Sequence, residues 1–171
     1  MFNSIIMQPA PPDWIDTVEK IEAHGVVQEP KETEKVNILV IENEDDIRCL
    51  LTDILTSDGH KVVSAANGVD ALEIFNQEPF DLVLTDLGMP VMSGWEVANA
   101  IKEQAPEVVI AIITGWGTQF DPIKLKNNGI DIVVNKPFRV NQILNLVQEA
   151  RAIMNSIGEG EGEGNPRISP P

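Results

Sequence analysis

Six consecutive residues without a polar side chain, Val108-Val109-Ile110-Ala111-Ile112-Ile113, do most to restrict what this chain can fold into. A run of that length is far too short to span a bilayer and reads as a strand buried on both faces. Four more short, mostly apolar runs also read as strands, at residues 36–41, 61–65, 81–85 and 130–134. Between them lie stretches with apolar residues at helical spacing: residues 44–56, 68–77, 93–104, a weaker one at 118–128, and 139–155. The first carries Ile47, Leu50, Leu51, Ile54 and Leu55, the second Ala71, Leu72 and Phe75, and the last Ile143, Leu144, Val147 and Ile153. Continuous apolar strands alternating with helices predict an α/β fold, a doubly wound five-stranded parallel sheet with helices on both faces.

The 171 residues suffice for one domain with appended ends. Residues 36–155 make the domain. Residues 1–35 read as an extension: Pro9, Pro11 and Pro12 exclude early regular structure, and Asp13 can cap a short helix to His24 with Trp14, Ile15, Val18 and Ile21 on one face. That face either frays or docks on the domain, on a second copy as a homodimer, or on a larger protein. Residues 156–171 include an acidic Gly/Glu repeat that cannot build a core and is expected to be disordered. The net charge of −15 is spread along the chain without a basic cluster, which argues against nucleic-acid or anionic-membrane binding. The single cysteine, Cys49, cannot form an intrachain disulfide and is expected to be a buried structural thiol. With no signal-like start and no membrane span, the cytoplasm is the expected compartment.

Chemistry collects where the strands end. The first is followed by Glu42-Asn43, the third by Asp86, the fourth by Thr114-Gly115 and the fifth by Asn135-Lys136-Pro137-Phe138. In a doubly wound sheet these carboxyl ends meet in one crevice. Alone, each residue has a plainer role: Asp86 or Thr114 as a helix cap, Lys136 as a solvated loop lysine. Only the coincidence raises them above that. Neither His24 nor His60 falls at a strand end, and no zinc-type Cys/His cluster or Gly-rich phosphate loop occurs. Glu44, Asp45 and Asp46 read as first-turn acids complementing a helix dipole.

Residues 38–48, 81–94, 110–117 and 129–138 together resemble the receiver domain of two-component response regulators. The resemblance implies a flavodoxin-like sheet of order 2-1-3-4-5 and phosphorylation on Asp86. It implies a Mg²⁺ site made by Glu42, Asn43, Asp86 and the backbone carbonyl of Gly88. It makes Thr114 the switch hydroxyl and Lys136 the partner of a phosphoryl oxygen, followed by a bond to Pro137 that is commonly cis. A histidine kinase or histidine phosphotransfer protein would be the phosphoryl donor, and the chain itself would not be an enzyme beyond slow self-dephosphorylation. Gly115-Trp116-Gly117 is similar to receivers attached to hybrid histidine kinases, and Trp116 is expected either to shield the acyl phosphate or to cover the sheet edge.

Two positions depart from the family pattern. Asn43 stands where a second acid is usual and brings no charge to the metal. Val133 stands where an aromatic residue often precedes the lysine. Both favour an alternative reading, a pseudo-receiver that binds proteins without phosphorylation. An Asp-nucleophile phosphatase is disfavoured, because Asp86-Leu87-Gly88 lacks a second acid two residues on.

Overall fold

A computed structural model of the chain describes residues 35–115 and 122–160. In chain order these form β1 (Asn37–Ile41), α1 (Asp45–Ser57), β2 (Lys61–Ala65), α2 (Gly68–Phe75), β3 (Leu82–Asp86), α3 (Gly94–Gln104), β4 (Val109–Thr114), α4 (Pro122–Asn127), β5 (Ile132–Asn135) and α5 (Val140–Gly160). The expected helix at 13–24, Trp116 and residues 161–171 lie outside the described residues.

The strands make one sheet of order β2-β1-β3-β4-β5, and every neighbouring pair is parallel. Alternation along each strand sorts the core into two layers. Ile38, Val40, Leu82, Leu84, Val109, Ala111 and Ile113 pack on one face with Leu51 and Leu55 of α1 and Ile143 and Val147 of α5. Leu39, Ile41, Val83, Ile110 and Ile112 pack on the other with Ala71 of α2 and Val97 and Ile101 of α3. All six residues of β4 are buried, and Val109 to Ile113 alternate between the two layers. At about 1.5–3 kcal/mol per fully buried aliphatic side chain, a one-residue slip would gain nothing by hydrophobicity. It would, however, misplace the polar residue that follows each strand.

Four expectations change. Cys49 is exposed, and Leu50 is 49% exposed. At about 100° per residue, Ile47, Leu51, Ile54 and Leu55 form one stripe; Cys49 falls on the opposite side and Leu50 at the edge. Glu44 precedes α1 as its N-cap, with extended backbone and no side-chain capping bond, so only Asp45 and Asp46 are first-turn acids. The strand limits also move: β3 includes Asp86, β4 includes Thr114, and β5 starts at Ile132 and ends at Asn135. Finally, α5 continues to Gly160 rather than ending near 155. Met154 packs on the first core layer, and Met154, Ile157 and Gly158 line a groove with Phe80 and Val108. The helix therefore has surface to cover after the sequence turns glycine-rich.

His60 is buried between α1 and β2. Its Nδ1 accepts from the Val36 N–H at 3.4 Å, and its Nε2 lies 3.2 Å from Asp58 Oδ2. Desolvation lowers its pKa; Asp58 opposes that shift, and Arg151 adds to it. The folded state therefore favours neutral His60. Its stabilising contribution is present above about pH 6.5, the value for an unfolded histidine, and is lost as pH falls through the lowered folded value. Denaturant unfolding at pH 7.5 and 5.5 should show a smaller acid-induced loss of stability in His60→Gln than in the parent chain.

Candidate functional site

Parallel strands bring their carboxyl ends to one edge of the sheet, and there the structure assembles most of the expected residues. Glu42 follows β1 directly and is 1% exposed. Its Oε2 accepts from Lys136 Nζ at 2.7 Å, and its Oε1 accepts from the Glu44 N–H at 3.0 Å. Asp86 closes β3, almost fully buried, with Oδ1 3.2 Å from Lys136 Nζ and Oδ2 accepting from the Gly88 N–H at 3.1 Å. Lys136 reaches both carboxylates from the loop after β5, where the Lys136–Pro137 bond is cis. Thr114 is fully buried at the end of β4, and its carbonyl accepts from the Lys136 N–H at 2.7 Å. Val133 is half-buried in β5 opposite Ile112, packed on the second core layer.

Lys136 thus joins β5 to the acids of β1 and β3. Burial would lower its pKa, but the hydrogen bond and charge of Glu42, followed by those of Asp86, outweigh it and hold the ammonium above its ordinary value. A raised lysine pKa stabilises the fold below the unfolded value of about 10.5, and that contribution is lost only as pH rises through the higher folded value. At neutral pH Lys136 is therefore charged, between the side chains of Glu42 and Asp86.

Asn43 is not part of that set. It is exposed and lines a neighbouring cavity of about 330 Å³ with Asn67, Gly68, Val69, Pro90, Val91 and Met92. Gly88 meets Asp86 through its N–H; its carbonyl is the group the sequence reading assigned to a metal.

Three contributors escaped the sequence reading. Arg48, one turn into α1, donates from Nη1 to the Glu42 carbonyl at 2.7 Å and pins the β1–α1 loop. A Cβ on Gly94 would lie 2.4 Å from the Asp86 carbonyl oxygen, so only glycine lets α3 start this close to the acid. Ser93 and Glu96 close a capping box at that helix start, which was the one legible signal there. Glu44, first read as a helix-dipole acid, places Oε1 3.8 Å from Lys136 Nζ. The loop between β3 and α3 turns tightly at Val91, which holds φ at 69° while the Met92 N–H bonds the Pro90 carbonyl at 2.8 Å. Bulky β-branched residues rarely adopt that conformation.

A hard divalent cation is the group this edge suits. The hard oxygens of Glu42 and Asp86 already flank one positive charge, the Lys136 ammonium. Mg²⁺ is commonly held by one or two carboxylates plus water, and Glu42 and Asp86 supply two. Among the described residues, no group of three or more His, Cys, Asp or Glu side chains forms a ready-made cage, so the fit is to an open, partly hydrated site.

Comparison with known proteins identifies the family. Residues 38–148 match the response regulator receiver domain family. The chain is 33% identical over 113 residues to sporulation initiation phosphotransferase F of Bacillus subtilis, covering 66% of this chain and 90% of that protein. It is 34% identical over 131 residues to the protein of Pyropia yezoensis named "Probable transcriptional regulator ycf27", covering 74% of this chain and 54% of that protein. The chain thus spans about half the length of some curated relatives it matches. Among solved structures, the chemotaxis response regulator CheY4 of Vibrio cholerae superposes with a TM-score of 0.64 at 26% identity, covering 68% of this chain and 98% of that one. With the parallel 2-1-3-4-5 sheet and the acids and lysine at its carboxyl edge, the chain belongs to the response regulator receiver domain family of two-component systems.

Proposed function

We propose that this chain accepts a phosphoryl group on Asp86, with Mg²⁺, and that phosphorylation switches its contacts with other proteins. The observation that carries the reading is the placement of Asp86: a nearly buried carboxylate at a strand end, 3.2 Å from Lys136 Nζ and sharing that ammonium with Glu42. Receiver domains in general interact with histidine kinases or phosphotransfer proteins. A phosphohistidine of such a partner is the donor in this reading.

In the reaction, an Asp86 carboxylate oxygen attacks phosphorus, and the P–N bond to the donor imidazole breaks with its electron pair left on nitrogen. The product is a mixed acyl phosphate. No general base is required, because the nucleophile is already an anion. The work lies in positioning and neutralising charge. Lys136 sits beside Asp86 to pair with an incoming phosphoryl oxygen, and Thr114 from β4 supplies a hydroxyl donor for the product state. Glu42 and Asp86, with the Asn43 amide and the Gly88 carbonyl as neutral oxygens, would hold Mg²⁺, which supplies charge neutralisation on the phosphoryl group. The chain acts as a phosphoryl carrier and not as an enzyme, with slow self-dephosphorylation as its reset. None of its described helices is long and apolar enough to cross a membrane, and we place it in the cytoplasm.

The exposed, uncharged Asn43 favours the second reading, a pseudo-receiver. Incubation with acetyl phosphate and Mg²⁺ followed by intact mass measurement separates the two. The proposed function predicts a gain of one phosphoryl group that needs Mg²⁺. No gain at any Mg²⁺ concentration would leave the pseudo-receiver.

A further inference from the structure

We propose that Arg48 is a positioning residue for phosphoryl transfer to Asp86: it acts through Glu42, whose carboxylate it holds in register with the Lys136 ammonium. This rests on the reading of the site given above. The geometry starts where β1 ends. Both ladders made by β1 stop at Ile41, so the Glu42 carbonyl lies past the last strand pairing. Glu42 is almost fully buried, and a buried carbonyl needs a donor. Arg48 supplies one from the first turn of α1, with Nη1 2.7 Å away. Nη2 of the same guanidinium pairs with Asp45, which is 81% exposed. So exposed a pair adds little stability by itself, but it orients the fork. The guanidinium thereby grips both ends of the turn that runs from Glu42 to Asp45.

The carbonyl and the carboxylate of Glu42 are not independent. The planar peptide that carries the carbonyl leads through Asn43 to the Glu44 N–H, which donates to Glu42 Oε1 at 3.0 Å. If that plane turns, the Glu44 N–H moves and Oε1 loses its anchor. Oε2 of the same carboxylate accepts from Lys136 Nζ at 2.7 Å, and Nζ lies 3.2 Å from Asp86 Oδ1. Arg48 is thus linked to the nucleophile through a carbonyl, a peptide plane, a carboxylate and an ammonium. An arginine suits the place because one rigid fork reaches two acceptors at once, which a lysine cannot do.

Arg48→Met keeps the apolar stem and removes the fork, and Arg48→Lys restores one donor. The first measurement, on the full chain, needs no phosphodonor. The coupling between Glu42 and Lys136 is read from urea unfolding of the parent, Glu42→Gln, Lys136→Met and the double variant, then again with Arg48→Met in all four. It is expected to fall to about half or less, and to recover in part with Arg48→Lys. A residue that merely stabilises the fold would lower all four midpoints and leave the coupling unchanged, which would overturn the proposal. The second measurement is the rate of phosphorylation by acetyl phosphate with Mg²⁺, followed by intact mass. Misplacing a positioned group by about 1 Å can cost about a hundredfold, and Arg48→Met is expected to slow the reaction about tenfold. In a Glu42→Gln background the same substitution should slow it much less. Equal slowing in both backgrounds would show that Arg48 does not act through Glu42, and would overturn the proposal while the acceptor reading stands. If the parent chain takes up no phosphoryl group, the acceptor reading and the role of Arg48 in transfer both fail, whatever the coupling shows.

Discussion

Asp86→Asn is expected to take up no phosphoryl group under conditions in which the parent chain gains one. The substitution keeps shape and the hydrogen bond from the Gly88 N–H, since an amide oxygen still accepts. What it removes is the nucleophile: an amide oxygen is a poor attacking group, and an acyl phosphate cannot form on it. It also removes one of the two buried negative charges that hold Lys136. The expected result is complete loss of the mass gain with the fold retained, checked by intact mass and by unchanged far-ultraviolet circular dichroism. A labile phosphate that persists in Asp86→Asn, or that maps to Glu42 or Glu44 after digestion, would place the nucleophile elsewhere.

Lys136→Met has the largest expected effect on stability. The methionine keeps length and removes the ammonium, so a carboxylate 1% exposed and another nearly buried lose their common partner. Removing one partner of a fully buried ion pair costs about 3–5 kcal/mol. Here Lys136 is 16% exposed and water can reach part of the site, so about 2–4 kcal/mol is expected. The double variant Glu42→Gln with Lys136→Met should recover part of that cost, because one of the two uncompensated buried charges is then gone. Denaturant midpoints of the parent, both single variants and the double variant measure the coupling, and costs that simply add would show that the Glu42–Lys136 pair does not hold the site together. Phosphorylation is expected to survive in Lys136→Met, since Asp86 remains, while the conformational response is lost. Equal changes in tryptophan fluorescence on phosphorylation of both proteins would remove Lys136 from the response.

Much of the fold was legible because the physics that writes it is local or periodic. Apolar runs such as residues 108–113 can satisfy a parallel sheet only when covered on both faces, and the helical stripes between them supply that cover. Once strands are parallel, their carboxyl ends share one edge by geometry alone. That is why Glu42, Asp86, Thr114 and Lys136 could be grouped from their positions after the strands. The same helical geometry also contains the correction for Cys49 and Leu50, which leave the stripe of Ile47, Leu51, Ile54 and Leu55 when their angles are followed.

Contacts made by loops were not legible, because they depend on distances between segments far apart in sequence. Glu44 looked like any acid at a helix start, and only the path of the loop after β5 brings Lys136 to within 3.8 Å of it. Asn43 sits beside Glu42 in the chain, yet the turn between β1 and α1 leaves it exposed toward a different cavity while Glu42 is buried. The helical stretch at residues 93–104 was legible, but only the close approach of α3 to the Asp86 carbonyl explains why no side chain fits at Gly94. The glycines near the C-terminus suggested an earlier end to α5. A helical glycine costs about 1 kcal/mol relative to alanine, but packing of the preceding Met154 decides whether the helix continues, and here it does. Sequence by itself determined the layers, the strand polarity and the edge where chemistry collects, since those follow from pattern and handedness. Tertiary structure alone decided which of the acids at that edge face the ammonium, because that depends on backbone paths that no local pattern encodes.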